Sequence, residues 1–461
     1  MELNIKVDSR KVKKGDIFVA LRGVSSDGHD YIDKAIENGA SKLIVEEDKN
    51  YSIEYEVVKD TRQYLINYLK ENYNKYLNEM KIIGFTGTNG KTTSAYMLHS
   101  ALNMLNIKTS YIGTIGFYID KKIQNLDNTT PDVLDLYNLL LKSYEEGCKY
   151  VCMEVSSQGL SYKRVEGFLF DYAVFTNLTQ DHLDYHKTME NYALAKQELF
   201  KKLKKDGTAI INYDDPNKSY FLLNENKNIT YGFNGGDYKI ESYEMNNICT
   251  KITYSNKNEQ NTVIAKVIAK YNIYNIFITI LFLDLIGINK EQIKKVVYNL
   301  KTPSGRMQTI TYKSNSIVID YAHTPDAVLK IIKSMKEITK GNIYTVFGCT
   351  GDRDRTKRPI MTKIICDLSK KVIITNDDPH FEDPKQIVSD MINGIENKNF
   401  EIILDRKEAI KKAISFLNEH DTLLILGKGH EEYMIIKDQK IPFKDELVVE
   451  EIIKNKKELV K

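Results

Sequence analysis

Residues 81–106 constrain this chain more than any other stretch. A short apolar run, Lys81-Ile82-Ile83-Gly84-Phe85, enters the turn Gly87-Thr88-Asn89-Gly90-Lys91-Thr92-Thr93, and a helical pattern follows over residues 94–106. A strand ending in such a turn aims successive backbone N–H groups at one point. The helix behind it adds partial positive charge, so the segment is a cradle for an anion. In that geometry Lys91 reaches the terminal phosphates of a nucleotide, and the Thr92 hydroxyl ligates the accompanying Mg²⁺. The strict phosphate-loop spacing asks for glycine where Phe85 stands, so the motif is a variant. A purely structural strand-to-helix turn is the alternative.

Apolar runs over residues 150–153, 172–175 and 208–211 alternate with helical segments, the signature of a mostly parallel sheet with helices on both faces. Residues 238–269 switch to period two, which predicts an antiparallel excursion before a helix near 273–285. Upstream, apolar runs at 17–21 and 43–45 and helical patterns at 31–38 and 61–77 form a small α/β module. Downstream of Thr302-Pro303-Ser304-Gly305, residues 316–320, 343–347, 371–375 and 422–426 read as four buried strands. A length of 461 residues exceeds what one core organises. The expected fold is therefore α/β with three domains: a small N-terminal module (1–79), a central phosphate-loop domain (80–303) and a C-terminal Rossmann-like domain (304–461).

Composition excludes several function classes. Lys and Arg total 66 against 63 Asp and Glu, dispersed along the chain, which makes no case for nucleic acid or membrane surfaces. The start at Met1 shows no basic-then-apolar leader and no run spans a bilayer, so a cytoplasmic protein is expected. The five cysteines form no CxxC pair and read as buried or incidental thiols, Cys148 and Cys152 included.

The run from Thr86 to Thr93 resembles the Mur ligase family, the ATP-dependent amino-acid ligases of peptidoglycan synthesis. Further blocks extend the likeness over essentially the whole chain: Asp8-Ser9-Arg10, Asp27-Gly28-His29-Asp30-Tyr31-Ile32, Asn128-Thr129-Thr130-Pro131, Met153-Glu154-Val155-Ser156-Ser157, Asp181-His182-Leu183-Asp184-Tyr185-His186, residues 348–359, Asp377-Asp378-Pro379-His380, and Gly427-Lys428-Gly429-His430-Glu431. In order and spacing they resemble the branch adding the third residue of the stem peptide. The resemblance implies a monomeric enzyme using ATP and Mg²⁺. Its partners are a UDP-N-acetylmuramoyl-dipeptide, activated as an acyl phosphate, and a diamino acid.

Carried onto this sequence, the resemblance assigns Lys91, Glu154, His182 and Lys196 to catalysis. Glu154 also follows a buried run, which sets it at the C-terminal end of a strand where open parallel sheets place their ligand crevice. The resemblance makes Lys196 a carbamoylated lysine and, with Thr92, Glu154 and His182, a metal ligand; on pattern alone it is a helix-surface lysine. His186 reads as structural. The nucleotide would be met by Gly87 through Thr93, Asn272, Asn275, Arg306, Asp320 and His323. The uridine-linked substrate would be met by Ser9, Asp27, His29, Thr129, Thr130, Ser156, Tyr162 and Arg164. Helix capping is the rival reading for Thr130 and Asn272.

Arg353, Asp377, Asp378, His380, Gly427 and Glu431 would hold the incoming amino acid, with Arg353 on its α-carboxylate and Glu431 on an ammonium. Family members that add meso-diaminopimelate carry Asp-Asn-Pro-Arg where this chain has Asp377-Asp378-Pro379-His380. Replacing a permanent bidentate cation by imidazole weakens selection for a distal carboxylate. Asp377, Asp378, Glu382 and Asp383 favour a distal ammonium, so L-lysine is the expected substrate, with meso-diaminopimelate or another diamino acid the alternative. A folylpolyglutamate-type ligase and a nucleotide-binding regulator without chemistry are the rival functions.

Overall fold

In the computed structural model, strand Lys81–Thr86 runs into helix Lys91–Met104 and forms the middle of an eleven-stranded sheet. Residues 3–23, 26–246, 248–256 and 259–458 are described, with backbone alone for Asp184 and 456–458. Met1 and Glu2, where the leader reading begins, lie outside the described residues.

Strands Tyr150–Glu154 and Phe170–Phe175 flank Lys81–Thr86, both parallel to it. Parallel pairing continues through Leu203–Asn212 and Lys227–Gly232 on one side and Thr109–Gly113 on the other. A parallel core must be covered on both faces. Helices Lys91–Met104 and Lys270–Leu285 pack with Ile83, Phe85, Cys152 and Val174. Helices Val133–Glu145 and Met189–Lys201 pack with Ile82, Met153 and Phe175 on the opposite face. Phe85, the residue that breaks the strict loop spacing, is thus buried strand core and not loop.

The antiparallel excursion is three strands, Tyr238–Met245, Thr250–Asn256 and Glu259–Ala265. The four-stranded parallel N-terminal sheet includes Glu54–Val57, which carries two glutamates in four residues and no apolar run for the pattern to register. The C-terminal sheet has six strands. The four expected form its parallel centre, while Gln308–Tyr312 adds an antiparallel edge and Phe400–Ile402 a short parallel one. A separate hairpin, Tyr433–Ile436 with Gln439–Pro442, follows. All five cysteines are free thiols, four of them buried and Cys249 partly so. Among the described residues no helix is long and apolar enough to cross a membrane.

One buried ion pair fixes the C-terminal strand ends. Arg406 donates from Nε and Nη2 to the two carboxylate oxygens of Asp445, both at 2.8 Å, and Nη2 also donates to the Leu426 carbonyl at 3.0 Å. Neither side chain has exposed surface. Burial opposes the guanidinium, but Asp445 outweighs it and holds Arg406 above its ordinary pKa. Removing one partner strands a charge in the core. Asp445→Asn is therefore expected to cost about 3–5 kcal/mol, read from the urea midpoint of the C-terminal unit. An unchanged midpoint would show that the pair contributes nothing.

Candidate active site

The neighbouring strand end holds the phosphate loop. Asn177 takes up the amides of Thr88 (through its carbonyl, 2.8 Å) and Asn89 (through Oδ1, 3.0 Å), and its Nδ2 donates back to the Asn89 carbonyl at 2.9 Å. Thr176 Oγ1 donates to the same carbonyl at 2.7 Å. Of the successive amides that the sequence pattern aims at one point, those of Thr88 and Asn89 are committed to Asn177. The amides of Lys91, Thr92 and Thr93 begin the helix and have no carbonyl ahead of them, so they carry the cradle. Gly87 (φ 144°) and Gly90 (φ 87°) admit no side chain. A Cβ at Gly87 would lie 2.0 Å from Thr176 Oγ1, and one at Gly90 2.5 Å from Asn275 Oδ1.

Glu154 lies at the C-terminal end of its strand, fully buried, as its place after an apolar run predicts. Its carboxylate accepts from Thr92 Oγ1 (2.8 Å), the Thr114 amide (2.8 Å), Thr114 Oγ1 (3.2 Å) and the Tyr111 hydroxyl. Thr92 and Glu154 therefore stand as one unit of hard oxygen ligands, the chemistry Mg²⁺ prefers. His182 opens onto the same cleft in a left-handed backbone conformation (φ 52°), with Nε2 3.5 Å from Asp181. His186 is buried and bonds Ser157 Oγ at 2.9 Å, in keeping with a structural role.

Lys196 is not the surface lysine that its helical pattern suggests. It is 1% exposed and donates to the Gly87 carbonyl at 2.9 Å, the same oxygen that receives Lys91 Nζ at 2.9 Å. Burial, with Lys91 close by, drives the Lys196 pKa well below the lysine value; burial also lowers that of Lys91. Lys196 lies beneath the loop and does not line the cleft.

A cavity of about 560 Å³ joins these groups to the C-terminal domain. Thr88 through Thr93, Glu154 and His182 line one wall; Arg306, His323, Arg353, Asp377, Asp378, His380, Gly427 and Glu431 line the other. A recess of about 100 Å³ opens beside it between Asn272, Asn275, Arg306, Asp320 and His323. Asn272 does not cap its helix by accepting an amide. Its Nδ2 donates to the Ile268 carbonyl at 3.0 Å, and its Oδ1 accepts from Asn275 Nδ2 at 3.0 Å. Arg306 lies 4.6 Å from the Tyr321 ring centre, and its buried Nε has no protein partner among the described residues. Burial raises the Asp320 pKa and pushes that of His323 down to about 4, so the imidazole is neutral.

Of the residues assigned to the uridine-linked substrate, Thr129 and Ser156 line the cleft. Ser9, Asp27 and His29 do not. Ser9 is buried, while His29 Nδ1 lies 2.6 Å from Asp27 and its Nε2 accepts the Glu46 amide at 3.0 Å. Thr130 is buried as a pin, donating to the Glu154 carbonyl at 3.0 Å and accepting the Ser156 amide at 3.0 Å. The helix cap is Asp132, not Thr130. Arg164 donates to the Thr130 carbonyl at 3.0 Å and lies over the exposed Tyr162 ring.

The acids near His380 are largely spoken for. Glu382 accepts from Arg358 at 2.9 and 3.0 Å, and Asp383 caps helix Pro384–Ile392. Asp377 and Asp378 share the buried ammonium of Lys428. In the linear pattern these side chains read as free negative charge, because pairing across sequence distances of 24 and 50 residues is invisible there. Sequence reasoning also missed Tyr111, Thr114, Asn177 and Lys357. Lys357 lies inside the block 348–359 but was given no role there; Tyr111, Thr114 and Asn177 lie outside every block and act through contacts made by the fold.

The matches to known proteins follow the same division. The family model "Mur ligase family, catalytic domain" covers residues 4–84, "Mur ligase middle domain" 85–283, and "Mur ligase, glutamate ligase domain" 305–429. The UDP-N-acetylmuramoyl-L-alanyl-D-glutamate–2,6-diaminopimelate ligase of Clostridium botulinum is 42% identical over 460 residues, 98% of this chain and 95% of the relative. A solved structure of a ligase bearing the same name superposes with a TM-score of 0.71 at 32% identity, covering 98% and 95% of the two chains. The MurF ligase of Thermotoga maritima, in complex with ADP, shares the fold at a TM-score of 0.69 and 21% identity, over 92% and 95% of the chains. A site that gathers a phosphate loop, buried hard oxygen groups and a third-domain wall, on a chain matched along its length, leads to one conclusion: this chain belongs to the Mur ligase family and is an ATP-dependent amide-forming ligase that works with Mg²⁺.

Proposed function

We propose that this ligase adds 2,6-diaminopimelate to UDP-N-acetylmuramoyl-L-alanyl-D-glutamate, with ATP converted to ADP and phosphate. The observation that carries the reading is the single cleft onto which the phosphate loop, Glu154 and the amino-acid residues of the C-terminal domain all open. ATP supplies the phosphoryl group that turns the substrate carboxylate into an acyl phosphate, and Mg²⁺ offsets the charge of the transfer. The incoming amine then forms the C–N bond as the C–O bond to phosphate breaks, and the amine loses a proton.

The chain's own groups divide this work. The amides of Lys91 to Thr93 and the Lys91 ammonium hold phosphate oxygens, while Thr92, Glu154 and His182 supply metal ligands. Asn272, Asn275, Arg306, Asp320 and His323 border the nucleoside recess. Thr129 and Ser156 meet the uridine-linked substrate inside the cleft; Ser9, Asp27, His29, Thr130, Tyr162 and Arg164 shape its approach. Arg353, Asp377, Asp378, His380, Gly427 and Glu431 receive the amino acid, and the C-terminal wall excludes water from the activated carboxylate. Burial lowers the Lys196 pKa and so favours the neutral amine, the form that adds CO₂ and releases a proton to become a carbamate. Domain limits at 79/80 and 303/304, a monomeric state and a cytoplasmic setting belong to the same reading.

Two observations favour diaminopimelate over lysine. The relatives matched over 95% of their length are named for it, and two of the acids that favour a distal ammonium, Glu382 and Asp383, are committed to Arg358 and to a helix cap. Arg353, Lys357 and His380 all face the cleft and can meet carboxylates.

In a competition assay with the dipeptide nucleotide, meso-diaminopimelate is expected to be ligated in preference to L-lysine; dominant lysine incorporation would refute that choice. Lys91→Ala should lower kcat by at least about 100-fold, and phosphate release at the wild-type rate would remove the loop from catalysis. Enzyme incubated with ¹³C-bicarbonate should show a carbamate resonance that is missing from Lys196→Ala; identical spectra would exclude the modification.

A further inference from the structure

Asp377, Asp378 and Glu431 place carboxylate oxygens within 4.8 Å of one another, and all three line the cleft. The arrangement looks like a cation site, but the cation is part of the protein. Lys428 Nζ lies 2.7 Å from Asp378 Oδ1, 2.9 Å from Glu431 Oε2 and 3.6 Å from Asp377 Oδ1. Its side chain has no exposed surface and takes no part in lining the cleft. The ammonium therefore sits behind the acids, and the acids stand between it and the cavity. Burial works against this ammonium, yet Asp377, Glu431 and Asp378 outweigh it and hold Lys428 above the usual lysine pKa.

The cluster keeps a negative excess. Arg406 faces Asp377 and Glu431 electrostatically but is bonded to Asp445, and the Tyr321 phenol bonds Glu431 without carrying charge. Three carboxylates thus share one uncommitted cation. Burial, reinforced by Asp377 and Asp378, lifts the Glu431 carboxyl to about 7 in spite of Lys428. A second ammonium arriving from the cleft would offset part of that excess and favour the ionised form of Glu431.

We propose that Lys428 is a positioning residue for amino-acid selection: its buried ammonium fixes Asp378 and Glu431 from behind, so that their cleft side seats the ammonium of the incoming amino acid. The inference rests on the amino-acid site assigned to this cleft above. Amine binding then strengthens as pH rises through the Glu431 transition, because deprotonation creates the charge that the amine meets. Without Lys428 the carboxyl loses its stabilising neighbour, and the transition moves to higher pH.

The test compares Lys428→Met and Lys428→Arg with wild type, using meso-2,6-diaminopimelate and L-lysine separately as substrates. Lys428→Met is expected to raise KM for the accepted diamino acid at least about 10-fold while the KM values for ATP and the dipeptide nucleotide stay within about 2-fold. Lys428→Arg, which keeps the charge, should recover most of the loss. A ¹³C-carboxyl NMR titration of Glu431 gives a readout independent of turnover: its midpoint should move upward by about one pH unit or more in Lys428→Met. Lys428→Gln replaces the Met variant if that protein does not fold. An equal rise in all three KM values, or an unmoved Glu431 midpoint, would overturn the proposal. A wild-type enzyme that ligates neither amino acid would instead sink the functional reading, while the NMR midpoint would still decide the role of Lys428.

Discussion

Everything at this site is referenced to the clasp between the phosphate loop and the strand beside it. Thr176 and Asn177 follow directly on strand Phe170–Phe175 and hold both the amide and the carbonyl of Asn89, so the loop takes its position from the sheet and not from its own turn. A glycine-rich loop left to itself would sample many conformations, at a cost in entropy when phosphate arrives. Tying two of its amides to the scaffold removes that freedom in advance. It also decides which amides remain for a ligand, and those are the ones at the helix N-terminus.

The same logic of burial with satisfaction recurs around the cleft. Glu154 is a carboxylate without exposed surface, tolerated because four donors from Thr92, Thr114 and Tyr111 surround it. Lys196 is a buried amine with one carbonyl partner, and Lys428 a buried ammonium among three acids. Burial lowers the proton affinity of both lysines, and only at Lys428 do neighbouring acids outweigh it. The one with least compensation, Lys196, is the one most displaced from its ordinary charged state.

The three sheets divide labour in a way that parallel topology imposes. Strand ends of the central and C-terminal sheets face one cavity, so residues far apart in sequence, such as Glu154 and Glu431, share a site. Contacts between the two domains are of both kinds: polar, from Asn89 to Asp326 at 3.4 Å and Lys122 to Glu432 at 3.6 Å, and apolar, where Ile268 and Ala269 join the C-terminal core. The buried Arg406–Asp445 pair keeps the far wall rigid where Gly427 and Asp377 present themselves.

By itself the sequence determined the central strand–loop–helix unit, the parallel cores on either side of it, and Glu154 at a strand end. These follow from local periodicity and from residues adjacent in the chain. It also carried the blocks that place the chain in its family. Only the tertiary structure decided that Lys196 is buried, that Thr130 pins a strand end where a cap was the rival reading, and that Asp377, Asp378 and Glu382 already have cationic partners. Those outcomes depend on which side chains meet across dozens of residues, and charge patterning along a chain cannot distinguish an acid waiting for a ligand from one already paired. The phosphate loop was legible for the opposite reason: its chemistry is written in consecutive residues, and the fold had only to hold it still.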